Sequence, residues 1–423
     1  MTVRTPPDPS PAASRPWVIE VLRAQLVPVT RIGRQLAAVS FLDAFGSGMY
    51  YACFALYFTQ VVGLSAAQVG TALSVGGLAG LLGAVPVGLL ADRFRVGRIY
   101  IGLQLLRGVC YAALCLVGSF PWFVAVAAVI GLTDSAIPPV HQAVVGVAVP
   151  GKDRVDTMAR IRAVRNMGFG LGALIAVLAL GQGSRAGFLM LIAGNAVSYF
   201  VMAAVLAVMG IAAVAVAADA ARRPTFRLVR DVRYLLAAAV YGVLAVHATL
   251  LSVAVPLWFA RHTLVPPVFI GFLVALNTVL AVLLQARFAR PCVTLSGART
   301  AAILAGLSLA GFGVASQMAH AVTVEILAVC LAFLAVILLT FGELWHSASS
   351  WTVSYELAEP DRRTAYLSTF QLGVSLQAVL APWAITEIVF GTPGGWLMFG
   401  AVTIAAGLVP RLALRRALFS DSA

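Results

Sequence analysis

Charge is what this chain has least of. Of its 423 residues only 11% are Asp, Glu, Lys or Arg, whereas 61% are hydrophobic and mean hydropathy is +0.96. A water-soluble domain of this size cannot hide so much apolar surface. Lysine is nearly missing, with Lys152 alone among 29 basic residues, a bias that fits a GC-rich bacterial genome. No Cys-x-x-Cys or Cys/His cluster suggests a metal site, and all five cysteines except Cys292 fall in apolar stretches, where small thiols pack as core residues. No phosphate-binding loop occurs either: Gly151-Lys152 is followed by aspartate and lacks the preceding glycine spacing, which excludes ATP-driven transport by this chain alone. The few histidines are scattered without ligand spacing, and no conventional enzyme constellation stands out. Alternating ten-residue strands are absent too, so helices must satisfy the backbone in lipid. The N-terminus (MTVRTPPDPSPAASRP) is polar and proline-rich, unlike a cleavable signal peptide.

Long apolar runs are what the chain has instead, most of them about 20 residues, the length that crosses a hydrocarbon core roughly 30 Å thick. Spans are predicted at 36–59, 67–90, 99–118, 122–146, 161–181, 187–214, 235–260, 268–286, 300–318, 324–350, 365–390 and 396–414, with a short interfacial helix within 17–34. The connectors alternate in charge. On the N-terminal side lie 26 of the 29 basic residues; Arg107 is inside span three, and only Arg185 and Arg261 remain for the opposite side. The positive-inside rule then puts both termini in the cytoplasm of a cell (inner) membrane protein. The net charge of +13 is topology information and no sign of nucleic-acid binding.

The halves repeat each other. At an offset of 201, Leu56-Tyr57-Phe58 meets Leu257-Trp258-Phe259, Gly70 meets Gly271 and Arg98 meets Arg299. Asp134 later corresponds to Glu343, Pro150 to Pro360, and Asn166-x-Gly168 to Gln371-x-Gly373. The repeat also carries span ten through the polar run Glu343 to Ser350, where hydropathy alone would stop near Gly342. This divides the chain into a cytoplasmic tail (1–35), a six-helix bundle (36–214), a basic linker (215–234), a second six-helix bundle (235–414) and a tail (415–423). Two parallel repeats imply a cavity between them near the midplane.

The loop between spans two and three reads GLLADRFRVGR, Gly88 to Arg98. A carboxylate there, Asp92, can sit against the positive N-terminus of a neighbouring helix, while Arg93 and Arg98 pin helix ends and headgroups. With Gly88 and Gly97, this loop resembles the signature loop of the major facilitator superfamily, with two extra residues before Gly97-Arg98. The resemblance covers essentially residues 36–418. It implies an all-α integral membrane protein of twelve spans, two six-helix bundles related as parallel repeats, in which the loop serves gating. Within the superfamily the chain resembles the twelve-span proton-coupled drug exporters, actinobacterial members among them. Span five carries RNMGFGLGA (Arg165 to Ala173), where such exporters have a glycine-rich motif with proline. Gly168, Gly170 and Gly172 are present as helix-packing residues, and the proline is not.

Ionisable groups inside apolar helices are expensive and mark function by default. Asp134 and Glu343, equivalent in the two halves, are expected to carry the coupling proton, with Asp43 as third acid or as a brace for the inner gate. Burial opposes the charged form of a carboxylate, so such an acid can load a proton on one side and release it on the other. Arg107 is the expected ion partner of Asp134, and His247 and His141 are packing groups or relay members. Tyr50, Tyr51, Trp258, Asn166 and Gln371 are candidates to line a substrate cavity suited to flat, lipophilic, cationic molecules. The expected partners are a small-molecule substrate, protons and the lipid bilayer, with no cofactor, no metal and no nucleic acid, in a chain acting as a monomer. Export of drugs or small lipophilic metabolites, import or facilitated passage of a nutrient, and lipid flipping or sensing are the functions left open.

Overall fold

A computed structural model describes residues 23, 25–180, 185–215 and 230–413. Among them there is no strand, and helices account for nearly everything. The order is α1 (Arg31–Leu56, prolonged by a π-helical turn Tyr57–Val61), α2 (Ala66–Arg93), α3 (Val96–Leu114), α4 (Phe120–Ala148), α5 (Gly151–Leu180) and α6 (Arg185–Val208). Then come α7 (Val232–Leu244, resuming over His247–Thr249, Leu250–Ala254 and Val255–His262), α8 (Val268–Ala289), α9 (Leu295–Ala321), α10 (Glu325–Glu356), α11 (Arg363–Trp383, with a π-helical turn Ala384–Val389) and α12 (Gly395–Ala413). Eight of these are long and apolar enough to cross a membrane on length and composition alone. Three of the others, α1, α3 and α5, hold the buried charges Asp43, Arg107 and Arg160.

Local chemistry sets several ends. Thr30 caps α1 by accepting from Gly33 N, Ser65 and Gln68 form a reciprocal capping box on α2, and Asp231 and Thr294 cap α7 and α9. Span five was expected to begin at 161, but α5 starts at Gly151, because the charged turns before it are helical and packed. Span six was expected to run to 214; α6 stops at Val208, where Gly210 turns the chain at φ +75°, a backbone conformation glycine adopts without strain. The polar run after Gly342 stays helical to Glu356. The C-terminal tail, most of the N-terminal tail and most of the basic linker lie outside the described residues; of the helix expected within 17–34, residues 17–22 and 24 lie outside them, 23, 25 and 26 are helical, 27–30 are not, and α1 begins at Arg31.

Two apolar cores form, one from α1–α6 and one from α7–α12. In the first, α1 packs on α5 and α6, and α2 on α4; in the second, α7 packs on α11, and α9 on α10 and α12. Small residues allow the closest approaches. A Cβ on Gly172 would sit 2.0 Å from the Phe45 carbonyl across α5/α1, and one on Gly373 would sit 2.1 Å from the Ala238 carbonyl across α11/α7. The helix pairs α1/α5 and α7/α11 are equivalent in the two halves, and Gly373 is the repeat partner of Gly168. Gly168 also faces α1, 2.8 Å from Phe41 O by the same measure, whereas Gly170 meets nothing within 4 Å and so is no packing glycine.

The halves meet along two seams, α2 against α11 and α5 against α8. Both come together at the end that carries the 2–3, 4–5, 8–9 and 10–11 connectors, here called the basic end.

Candidate functional site

Asp43 is the hub of the charged interior. Arg107 Nη1 of α3 donates to its Oδ1 at 2.9 Å, and Arg165 Nη1 of α5 donates to its Oδ2. Asp43 is thus held by two guanidinium groups within one bundle, and neither of these bonds reaches the other bundle. Burying a carboxylate this deeply is tolerable only with such pairing. Asp134 of α4 completes a tetrad, its Oδ1 3.0 Å from Arg107 Nη2. That contact is close in distance, yet no N–H is aligned on the oxygen, and Oδ1 has no hydrogen-bond partner. Geometry decides hydrogen-bond strength, so Asp134 is a charge neighbour of Arg107 and not its bonded acceptor. Its side chain is 29% exposed against 4% for Asp43. The Tyr199 ring lies under Arg107 at 4.1 Å and its hydroxyl meets Ser47.

Glu343 of α10 occupies a different setting. Arg162 Nη2 of α5 donates to Oε1 at 2.7 Å, and Asn277 Nδ2 of α8 donates to Oε2 at 3.0 Å. Because α5 and α10 belong to different bundles, this is an ion pair between halves. The repeat partners Asp134 and Glu343 therefore do unlike things: one is loosely held inside its bundle, the other is bonded across the interface. Arg162 and Arg165 look like topology charge in the sequence; the structure puts both on α5, in these two pairs.

Histidines divide as well. His247 and His346 are buried and bonded to each other, Nε2 to Nδ1, at 3.1 Å. His141 packs against Tyr100, and its Nε2 has no hydrogen-bond partner among the described residues. Gln104, Tyr111 and Asn195 likewise have buried polar atoms without protein partners inside the first bundle.

At the basic end, Asp92 closes the α2/α11 seam. Its Oδ1 accepts from Thr364 N at 2.9 Å and its Oδ2 from Ala365 N at 2.7 Å, the first-turn amides of α11. A carboxylate from one bundle thereby satisfies orphan donors and the helix dipole of the other. Gly88 permits the approach, since a Cβ there would lie 2.3 Å from Ser368 Oγ. Arg93 and Arg98 are exposed and outside this contact, and Gly97 packs instead on the turn after α6, donating to Val214 O. Three further contacts had no sequence signal. Tyr355 lies between Arg154 and Arg363, with guanidinium carbons 3.5 and 4.1 Å from its ring centroid. Gly146 of α4 makes room for it, because a Cβ would fall 2.0 Å from the ring. Arg154 pairs with Glu356, and Gln142 donates to Ser354 Oγ. The α5/α8 seam is apolar: Val155 and Ala159 meet Ala286, Ala289 and the buried thiol of Cys292.

The expected cavity aromatics are mostly interior. Tyr50 is buried edge-on against Tyr111. Trp258 is buried among His262, Phe390 and Trp396 and donates from Nε1 to Ser316 O, so its ring packs in the second bundle's core. Tyr51 is exposed beside Phe169, and Asn166 and Gln371 are half-buried.

Residues 36–246 match the family model of the Major Facilitator Superfamily. No curated protein matches the chain significantly. Among solved structures, a bacterial homologue of the iron transporter ferroportin in an outward-facing state shares 15% identity with a TM-score of 0.68, over 92% of this chain and 99% of that one. The proton:xylose symporter XylE bound to 6-bromo-6-deoxy-D-glucose shares 13% identity at 0.65, over 89% and 94% of the two chains. The nucleoside transporter NupG gives 13% and 0.57, over 90% and 100%. The fold is that of the major facilitator superfamily, and the family match supports secondary transport across a bilayer.

Proposed function

We propose that this chain is a proton-coupled secondary transporter that exports small lipophilic molecules, drugs among them, by alternating access. The basic end is then the cytoplasmic face, as the positive-inside rule demands, and the inter-bundle contacts gathered there correspond to an outward-facing arrangement. The observation that carries the proton coupling is the looseness of Asp134. It is the one acid of the tetrad without an aligned donor and with part of its side chain exposed. Protonating it gives up one ion-pair contact with Arg107, at 3.0 Å and poorly aligned, whereas Asp43 would have to give up two arginine bonds. Loss of the Asp134 charge leaves the tetrad positive, and a cationic substrate arriving beside Arg107 is favoured only when that charge returns. Substrate and proton thus exclude each other, which is the requirement for antiport. Glu343 contributes as the acid that must change partners when the bundles part.

The test is transport by purified protein in proteoliposomes, with a fluorescent lipophilic cation as probe. Wild type accumulates the cation against its gradient when a pH gradient is imposed. Asp134→Asn abolishes this accumulation but keeps downhill flux, since size and polarity are retained while titration is lost. Full gradient-driven accumulation by Asp134→Asn would move the proton site elsewhere. A wild type indifferent to the pH gradient would make the protein a facilitator.

A further inference from the structure

The buried histidine pair occupies a break in a helix. The first stretch of α7 ends at Leu244, residues 245–246 form a turn, and helix resumes at His247, to be followed by the π-helical turn Leu250–Ala254. Departures of this kind inside a spanning helix concentrate at functional positions. His346 stands three residues beyond Glu343 on α10, hence on the same side of that helix.

Two hydrogen bonds fix where the protons of this pair reside. His346 Nε2 lies 3.0 Å from the Tyr241 carbonyl, which can only accept, so Nε2 carries the hydrogen. The Nδ1 of a neutral His346 is therefore an acceptor, and the hydrogen between the rings belongs to His247 Nε2. What remains is Nδ1 of His247, an unprotonated nitrogen with no protein partner among the described residues. A proton reaching it adds to a free lone pair and breaks neither bond. His346 has no such vacancy, because a proton on its Nδ1 would face the N–H of His247. The pair holds one extra proton, not two.

Charges around the pair come from several elements. Glu343 of α10 and Arg162 of α5 act on His247, and Arg162 acts on His346. On the Tyr241 side, its hydroxyl meets Ser349 at 2.5 Å and Arg299 of α9 lies beyond; α8 brings Asn277, and α11 brings the uncharged Gln377, bonded to Thr249. We propose that His247 and His346 form a one-proton site at the bend of α7, loaded at His247 Nδ1, whose positive charge competes with Arg162 for Glu343 and so loosens the ion pair between the bundles. The proposal rests on the proton-coupled reading of the transporter but assigns the second-bundle proton to a histidine, leaving Glu343 as the latch. The proton comes from the water-filled side and leaves to the opposite one, with no other bond made or broken.

The five histidines of the chain make a direct test practicable. In protein labelled with nitrogen-15 histidine and held in lipid nanodiscs, His247→Gln and His346→Asn identify the two resonance sets. At about pH 8 both rings should be Nε2–H tautomers; on lowering the pH to about 5, His247 alone should gain a proton, at Nδ1. Absence of titration across that range, a proton gained by His346, or an Nδ1–H tautomer of His247 at high pH would each overturn the proposal. The consequence for the bundles is read from maleimide labelling of the Cys292 thiol in the α5/α8 seam, in a variant retaining only that cysteine. His247→Gln keeps an N–H donor for His346 and cannot be charged. The wild-type rate divided by the His247→Gln rate should be near one at about pH 8 and rise severalfold towards pH 5; a flat ratio sinks the coupling to the latch. The ratio cancels the thiol's own titration. If His247→Gln does not fold, the wild-type titration still decides. Failure of gradient-driven transport would refute the proposed function while leaving these two measurements unaffected.

Discussion

Asp92→Asn is the most informative single change at the basic end. The wild-type carboxylate accepts two backbone N–H groups of α11, at 2.9 and 2.7 Å. Asparagine keeps one oxygen, but its amide N–H2 must face the second backbone donor, donor against donor. One hydrogen bond to a charged acceptor is worth about 1.5–3 kcal/mol, and the charge-to-dipole attraction at this buried helix end up to a further ~2 kcal/mol. Taking the hydrogen bond alone, the equilibrium between closed and open basic ends should shift towards open by roughly 10- to 150-fold. Cys292 gives a native readout, since its thiol is fully buried in the neighbouring seam and only opening exposes it. In a variant retaining only that cysteine, the labelling rate should rise by the same factor for as long as the closed form remains the majority. Expression and thermal stability in detergent should change little, because each bundle keeps its own core. A labelling change below about twofold, in normally folded protein, would mean that Asp92 contributes no net energy to the closed state.

Three other perturbations separate structural from functional charge. Arg107→Ala strips a bonded partner from the buried Asp43 and should cost about 3–5 kcal/mol of stability, seen as a lowered thermal midpoint by fluorescence-detected size exclusion; an unchanged midpoint would contradict the tetrad. Asp134→Asn, by contrast, removes no aligned hydrogen bond and should leave that midpoint nearly unmoved while gradient-driven transport is lost. Gly146→Ala inserts a methyl where the Tyr355 ring lies and should destabilise only the closed basic end, by about 1–3 kcal/mol, with faster Cys292 labelling and unaltered stability of the separate bundles.

Much of the architecture was legible because lipid imposes it. Span number, the pairing of the halves and the polar extension of α10 follow from hydropathy and repeat, and Asp92 carries its own logic as an acid at a helix end. The boundary of α5 was misread for a physical reason. Arg160, Arg162 and Arg165 resemble cytoplasmic topology charge, and nothing local distinguishes an arginine facing headgroups from one facing a buried carboxylate. The acids Asp43 and Glu343 were conspicuous, but their partners lie 122 and 181 residues away along the chain. A signal did exist, in that three acids inside apolar helices need three cations, and only Arg107 had been supplied. Trp258 misled because its repeat position beside Phe259 says nothing about which side of α7 the ring occupies. The Tyr355 sandwich and the His247–His346 bond arise entirely from tertiary placement.

Helix α5 joins the two halves of the charge arrangement. Arg165 reaches Asp43 in its own bundle, and Arg162, three residues earlier on the same helix, reaches Glu343 in the other. On a rigid helix these side chains leave neighbouring positions of one face, so a displacement of the helix is felt at both pairs. The seams at the basic end respond differently to such a displacement. The apolar patch of Val155, Ala159 and Cys292 tolerates small sliding, because dispersion and burial change gradually with distance. Hydrogen-bonded ion pairs lose alignment within about an ångström and are expensive to leave half-made in a low dielectric. Under the proposed alternating access, the halves would separate when the charges exchange partners, and the apolar seam would follow. A change of charge at Asp134 acts on Arg107 and through Asp43 on Arg165; one at the histidine pair acts on Glu343 and Arg162. Both end on the same helix, so under the proposed function a proton bound in either bundle would have a mechanical route to the basic end.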